Sequence, residues 1–338
     1  MIHMDKNESP IQPISRQTMH ALLDECAYHL YPDEAYNAFK SAYVRYYGNL
    51  DTEQLCIGNG SDDLIQKLMI AMPKGPCLAL HPDFFMYQDY ARQVQRPIAY
   101  VDANDDLTFS IDAIVARIHE VRPSFFIFSN PHNPTGYRFN ESEVARMLEA
   151  VSQHDGYLVV DEAYVEFSKP LKIDMTEKLL RMRTLSKAFA IAGLRLGVLM
   201  STKETIDIVK QIEHPYPMSE FTLKVGQHLF NERADTDALI THQRHLSTRL
   251  KTILQTYASS WMTVYPSDTN FVLTRGTAAI ALGNYVKNHG FLPRFYNAES
   301  EKAMAQCVRY SIVTNEALDQ FERIVKEWSE QYDVSNET

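Results

Sequence analysis

The chain reads Phe125-Phe-Ile-Phe-Ser-Asn-Pro-His-Asn-Pro-Thr-Gly136, then a helix-spaced stretch over 141–153, then Tyr157-Leu-Val-Val-Asp161-Glu-Ala-Tyr164. A short continuous apolar run bounded by turn residues is the mark of a strand buried on both faces. Between the two runs, Val144, Met147, Leu148 and Val151 recur at the spacing of one helix face. Asn140 stands where that helix needs a cap, and Glu143 where the partner in a capping box belongs. Strand, helix and strand in this order predict parallel strands with helices laid across the sheet.

The same alternation extends outward. Leu55-Cys-Ile, Leu78-Ala-Leu and Ile98-Ala-Tyr-Val read as strands upstream, with helices over 34–47, 62–72 and 110–121. Arg183-Thr-Leu and Leu196-Gly-Val-Leu read as strands downstream. Helices dominate from 204 to 258, after which Phe271-Val-Leu, Phe291-Leu-Pro-Arg and Val308-Arg-Tyr-Ser-Ile read as strands of a smaller α+β unit closed by a helix over 315–332. The expected class is α/β. A large domain over 34–233 carries a mostly parallel sheet, and a smaller domain is formed by 1–33 with 234–338.

Composition narrows the function. The 338 residues carry 33 Lys and Arg against 43 Asp and Glu, a net charge of -10 with no basic run, which leaves no electrostatic footprint for nucleic acid. Small anionic substrates stay open, because a pocket can be locally positive on an acidic protein. Cys26, Cys56, Cys77 and Cys307 are scattered without a CxxC pair, which argues for a reducing compartment and against a zinc or disulfide framework. The N-terminus is polar and acidic, unlike a signal peptide. No apolar run approaches the roughly 18 residues of a membrane span. A soluble cytoplasmic protein is expected. Glycine is scarce at 12 residues, about half of ordinary usage, and five of them (Gly58, Gly60, Gly136, Gly193 and Gly197) fall in the segments discussed next.

Each of those segments follows a strand, where open α/β sheets bind ligands. Gly58-Asn-Gly-Ser61-Asp-Asp runs small residues into a helix start, an anion cradle suited to phosphate, although an ordinary tight turn accounts for it as well. Ser129-Asn-Pro-His-Asn133-Pro-Thr-Gly136 is stiffened by two Asn-Pro pairs and can aim the Asn133 amide at a ligand. Asp161 ends a buried strand, so it is desolvated unless a cation meets it; a helix cap is the alternative. Tyr164 lies three residues on. In Thr184-Leu-Ser-Lys187-Ala-Phe-Ala-Ile-Ala-Gly-Leu-Arg195, Lys187 is surrounded by apolar residues, as a Schiff-base nucleophile requires, against the default of a solvated lysine. Arg195 could clamp a phosphate together with Ser186.

The ordered set of Asn133 in Asn-Pro-Thr-Gly, Asp161 with Tyr164, Ser186-Lys187, and Arg195 in Gly-Leu-Arg-Leu-Gly resembles the pyridoxal-phosphate (PLP) aminotransferases of fold type I. Lys6-Asn-Glu-Ser-Pro, Tyr31-Pro-Asp and Asp161-Glu-Ala-Tyr-Val-Glu-Phe add a likeness to histidinol-phosphate aminotransferases. The likeness covers residues 3 to 330. It implies the aspartate-aminotransferase-like fold. It makes Lys187 the residue that carries the cofactor and then moves a proton. Asp161 is implied as partner of the pyridinium nitrogen, and Asn133 and Tyr164 as partners of the 3′-oxygen. Phe84 is implied to stack on the ring, with Gly60, Ser61, Asp62, Ser186 and Arg195 around the 5′-phosphate. Tyr31 matches a tyrosine that reaches the neighbouring subunit's cofactor, which implies a homodimer. Arg309, Arg294, Asn7 and Asn133 are implied to border the substrate, and no metal is implied.

The implied reaction is transamination between a small-molecule amino donor and a 2-oxo acid, with histidinol phosphate and 2-oxoglutarate as the first expectation, in histidine biosynthesis. The chain begins almost at Asn-Glu-Ser-Pro, so the N-terminal arm usual in those enzymes is expected to be lacking. Asp63 stands where Glu is usual, and Glu213-His-Pro-Tyr-Pro-Met-Ser lacks the usual Asn. Those departures suit a paralogue for another amino acid, such as an aromatic one, or an enzyme like threonine-phosphate decarboxylase. A non-catalytic PLP-domain regulator would need a DNA-binding segment, for which the chain has neither room nor charge.

Overall fold

The computed structural model describes residues 1–296 and 301–336. In chain order the elements are β1 (Ile2–Met4), α1 (Arg16–Asp24), α2 (Asp33–Tyr47), β2 (Leu55–Asn59), α3 (Gly60–Ala71), β3 (Cys77–His81), α4 (Met86–Gln93), β4 (Ile98–Asp102), α5 (Ile111–Val121), β5 (Phe125–Ser129) and α6 (Glu141–Ser152). They continue with β6 (Tyr157–Asp161), β7 (Leu179–Thr184), β8 (Leu196–Met200), α7 (Lys203–Lys210), α8 (Glu220–Asn231), α9 (Arg233–Ala258), β9 (Thr263–Val264), β10 (Phe271–Arg275), α10 (Thr277–Asn288), β11 (Phe291–Phe295), β12 (Cys307–Ser311) and α11 (Asn315–Asn336).

The apolar runs of β5 and β6 are continuous because both faces of their sheet are covered. Alternate side chains part to opposite faces. Phe125, Ile127 and Val159 join a core beneath α3 and α4, while Phe126, Phe128, Leu158 and Val160 join another with α5 and α6. Each fully buried Phe contributes about 1.5–3 kcal/mol. The sheet has seven strands in the order β2-β8-β7-β6-β5-β3-β4. Strands β4, β3, β5, β6 and β7 run parallel, whereas β8 is antiparallel to both of its neighbours. A second sheet, β1-β11-β12-β10-β9, pairs the chain's first strand with β11 in parallel and is otherwise antiparallel. A third core cluster spans both sheets, with Phe39 and Leu196 in contact through it with Leu250, Phe271 and Phe321.

The helix over 141–153 closes as the capping box predicts. Asn140 Oδ1 accepts from the Ser142 and Glu143 amides, and Glu143 returns Oε2 to the Asn140 amide at 2.7 Å. Other elements differ from expectation. The helix expected over 62–72 starts at Gly60, two small residues earlier. Strands β1 and β9 are too short to show a period, and α1 buries none of its side chains.

Register places the chemistry. Ser129 lies opposite Asp161, and Asp161 opposite Met182, so the loops after β5, β6 and β7 leave one edge together. Beside them β2 and β8 pair Gly58 with Gly197, so closely that a Cβ on Gly197 would sit 2.6 Å from the Gly60 carbonyl carbon. Backbone on both sides leaves no flexible atom to yield. Gly197→Ala is therefore expected to destabilise the chain by about 1–3 kcal/mol, read as a lower urea midpoint; an unchanged midpoint would refute the close approach.

Candidate active site

Two adjoining cavities open at this edge, of about 270 and 470 Å³. The smaller is lined by Ser61, Asp62, Phe84, Asn133, Asp161, Tyr164, Ser186, Lys187 and Arg195. The larger shares Phe84, Asn133, Tyr164 and Lys187 and adds Asn7, Arg294 and Arg309. Three loops, an N-terminal segment and the second sheet thus meet around Lys187.

At one end, Gly60 opens α3 with φ +78°, and its Cα faces the Arg195 guanidinium so closely that a Cβ would lie 2.5 Å from Nη2. Arg195 Nη2 donates to Asp62 Oδ2 at 2.7 Å. The unpaired amides of the first helical turn point out of this end, as an anion site requires. Thr184 Oγ1 donates to Ser186 Oγ at 2.9 Å beside it.

At the floor, Asp161 is buried and accepts from Tyr87 Oη at 2.9 Å and from the Ala163 amide at 3.1 Å. No Lys or Arg pairs with it among the described residues, and burial pushes its carboxyl up to about 7. It does not cap a helix. Lys187 Nζ donates to the Lys6 carbonyl at 3.3 Å. Desolvation, followed by the charges of Arg309 and Arg195, brings its ammonium down to about 8, as an amine that must react as a neutral base requires.

At the rim, Asn7 Nδ2 donates to Tyr164 Oη at 2.9 Å, which leaves the Tyr164 proton for another acceptor. Asn7 itself is fastened by Ser311, which bonds both its amide and Oδ1, and by Asn270 on its carbonyl. Arg309 donates from Nη1 to Asn133 Oδ1 at 2.8 Å and from Nη2 to the Asp5 carbonyl at 3.0 Å. Its buried Nε has no partner among the described residues. Arg294, opposite Arg309 in the β11–β12 ladder, lies 3.8 Å from Glu301 and over the Tyr296 ring.

The structure therefore gathers every site residue expected from sequence except Tyr31. That side chain is 75% exposed, stacks on Tyr216 with ring centroids 4.3 Å apart, and lines neither cavity of its own chain. Sequence reasoning missed Tyr87, the hydrogen-bond partner of Asp161, and Asp83, whose side chain is 1% exposed. The signal for Tyr87 was its place three residues after Phe84, one helical turn along.

Comparison with known proteins settles the family. The model of aminotransferase class I and II matches residues 2–321. The chain belongs to the class I and II aminotransferases. It is similar to the histidinol-phosphate aminotransferase of Clostridium novyi, with 30% identity over 89% of this chain and 85% of that one. Its fold matches the histidinol-phosphate aminotransferase of Sinorhizobium meliloti, solved in complex with pyridoxal 5′-phosphate, at TM-score 0.83 and 21% identity, covering 98% of this chain and 91% of that one. It also matches L-threonine-O-3-phosphate decarboxylase of Porphyromonas gingivalis at TM-score 0.77 and 19% identity, covering 98% and all of that chain. The protein is a PLP-dependent aminotransferase that acts on small amino and oxo substrates.

Without cofactor, the raised Asp161 carboxyl makes the folded aminotransferase hold that proton more tightly than the unfolded chain, where the ordinary value is 3.8. This contribution is complete below pH 4 and is lost as pH climbs through about 7. Asp161→Asn should flatten the decline of apoprotein stability across that range, by up to about 1.4 kcal/mol per pH unit. Urea midpoints of the parent and variant apoproteins at pH 5 to 8 test this; parallel curves would refute it.

Proposed function

We propose that this aminotransferase takes histidinol phosphate, or an amino compound built like it, as amino donor and 2-oxoglutarate as acceptor. The observation that carries the reading is the pair of arginines, Arg309 and Arg294, on one wall of the 470 Å³ cavity. Together they suit an anionic substrate end. The naming of the Clostridium novyi relative supports it.

The site fits the cofactor on three counts: a buried carboxylate short of a cation, a lysine of lowered basicity, and a glycine-lined cradle with no room for a Cβ. Asp161 would hold the proton of the pyridine nitrogen. Asn133 Nδ2, which has no partner among the described residues, and the Tyr164 hydroxyl would bond the 3′-oxygen. Phe84 would cover the ring face. Gly60, Ser61, Asp62, Ser186 and Arg195 would hold the phosphate. Bound PLP supplies an electron sink for the pair left when the substrate Cα loses its proton. Lys187 Nζ, whose ammonium burial brings down to about 8, would take that proton as a neutral amine and give it back within the same site. Arg309 fixes the carboxylate or phosphate end through its free N–H groups, and Asn7 keeps Tyr164 aimed.

A homodimer belongs to the same proposal, with Tyr31 given to the partner's phosphate site. Tyr31 stands exposed together with Leu23, Tyr28 and Leu30, an apolar patch suited to burial against a second copy. The division into 34–233 and 1–33 with 234–338 is supported by the sheets, whose strands divide along the same lines. A cytoplasmic setting suits the four unpaired cysteines.

The purified protein is expected to be yellow, with a visible band that borohydride removes while labelling Lys187. Lys187→Ala should lose the label and about 10²–10⁴-fold or more in rate. A panel of amines tests the donor: histidinol phosphate should bleach the band fastest. A fast response to an aromatic amino acid with none to histidinol phosphate would replace the donor and keep the class. Release of CO₂ without an oxo acid would favour the decarboxylase reading, which the Porphyromonas gingivalis fold match keeps in view. For the dimer, mixing inactive Tyr31→Ala with inactive Lys187→Ala should restore about a quarter of parental activity, since each hybrid pairs one intact site with one doubly damaged site. No recovery in hybrids shown to form would refute the shared site.

A further inference from the structure

We infer that Asp83 is a positioning residue of the cofactor site. Through Ser129 it sets the backbone of Asn133, and through its own loop it sets Phe84, so that ring face and ring edge are held by one hydrogen-bonded unit. The inference rests on the roles proposed above for Phe84 and Asn133.

Asp83 lies between β3 and α4 with its side chain 1% exposed. Its oxygens accept from the Phe84 amide at 2.7 Å, from the Ser129 amide at 3.1 Å, and from the Ser129 hydroxyl. No Lys or Arg pairs with it among the described residues. The nearest base, His132, has Nε2 at 3.7 Å and is kept neutral by burial, which brings its imidazole down to about 3. Tyr87 and Asp161 lie on the side of the cavity floor. A carboxylate held without a cation is costly and needs a reason beyond packing.

The reason lies in the direction of the bonds. Burial pushes the Asp83 carboxyl up to about 7, but the oxygen that faces Ser129, Oδ1, already accepts from the Phe84 amide and so accepts the single proton of the Ser129 hydroxyl as well. The Ser129 oxygen then faces the Asn133 amide with lone pairs only, and accepts from it at 2.9 Å. Ser129 also lies opposite Asp161 in the β5–β6 ladder, and the next residue, Asn130, donates its amide to the Asp161 carbonyl at 2.8 Å. Asn133 is therefore bonded to a serine whose hydroxyl is oriented by Asp83 and which lies opposite Asp161, while Asp83 itself holds the Phe84 amide. An amide at position 83 would keep the shape but present a donor to a serine that already receives one.

The test is a set of variants read by PLP affinity of the apoprotein, by equilibrium dialysis, and by the visible spectrum of the loaded protein, with urea midpoints as a measure of folding. D83N and S129A should each weaken PLP binding about 10- to 100-fold and shift the visible band. The double variant should be no weaker than the worse single one, because both break one chain of bonds. A purely structural role would lower the urea midpoint and leave PLP affinity and spectrum as in the parent. Folded D83N and S129A with parental affinity, or with losses that add, would overturn the inference. If D83N does not fold, S129A decides alone: weakened binding supports the inference and parental binding overturns it. N133A separates the two levels of argument. Parental PLP affinity in N133A overturns the underlying site reading, whereas weakened N133A beside an unaffected S129A overturns only the role of Asp83.

Discussion

A carboxylate at the end of a doubly buried strand, with no cation among the described residues to meet it, constrains everything around it. Asp161 is placed there by the parallel run of β5, β6 and β7, and the protein answers with a tyrosine hydroxyl and a backbone amide rather than a lysine. Supplying an internal cation would have satisfied the charge and closed the site. Leaving it unmet suits the ring nitrogen that the proposed reading puts there, and on that reading part of the affinity for the cofactor would be a property of the sheet.

The surrounding charges follow the same logic. On a chain of net charge -10, the cavities collect Lys187, Arg195, Arg294 and Arg309. Arg195 and Arg294 each lie against a carboxylate, Asp62 and Glu301. Among the described residues Arg309 instead bonds neutral oxygens, and its charge also falls on Lys187. Arg309 thus borders both the Lys187 amine and the larger cavity, where an incoming anion would relieve its charge.

Most of this was legible in sequence where a local rule was strong. Continuous apolar runs marked β5, β6 and β8 because those strands are buried on both faces, and the Asn140–Glu143 pair marked the start of α6. The loops carrying Asn133, Asp161, Lys187 and Arg195 could be read because unusual residue types crowd into short segments. Illegible parts lacked a local cause. Nothing in Leu196-Gly-Val-Leu-Met says that β8 runs against its neighbours. Helix α4 is polar, burying only Tyr87 and Ala91, so its apolar stripe is too thin to see. Asp83 looks like a turn residue until Ser129, 46 positions on, is seen to enclose it.

The substrate end belongs to that second kind. Arg294 and Arg309 meet because β11 and β12 are in register, and Asp5 and Asn7 arrive because β1 pairs with β11 and leads the N-terminal segment across the cavity. Asn7 reaches its place with φ +55°, a conformation that asparagine tolerates better than most side chains, and is then bonded to Ser311 at the end of β12 and to Asn270 just before β10. The resemblance implied places for Asn7, Arg294 and Arg309, but no local pattern around them announces that they meet. The cofactor end is made by loops that follow single strands, and each loop carries its own signature. The substrate end is made by strands brought together from the two extremities of the chain. A change of substrate could therefore begin in β11 without altering the sequence of a loop motif, whereas Asn7 and Arg309 tie the two ends together through Tyr164 and Asn133, which is why the motifs identify the reaction and leave the donor to be measured.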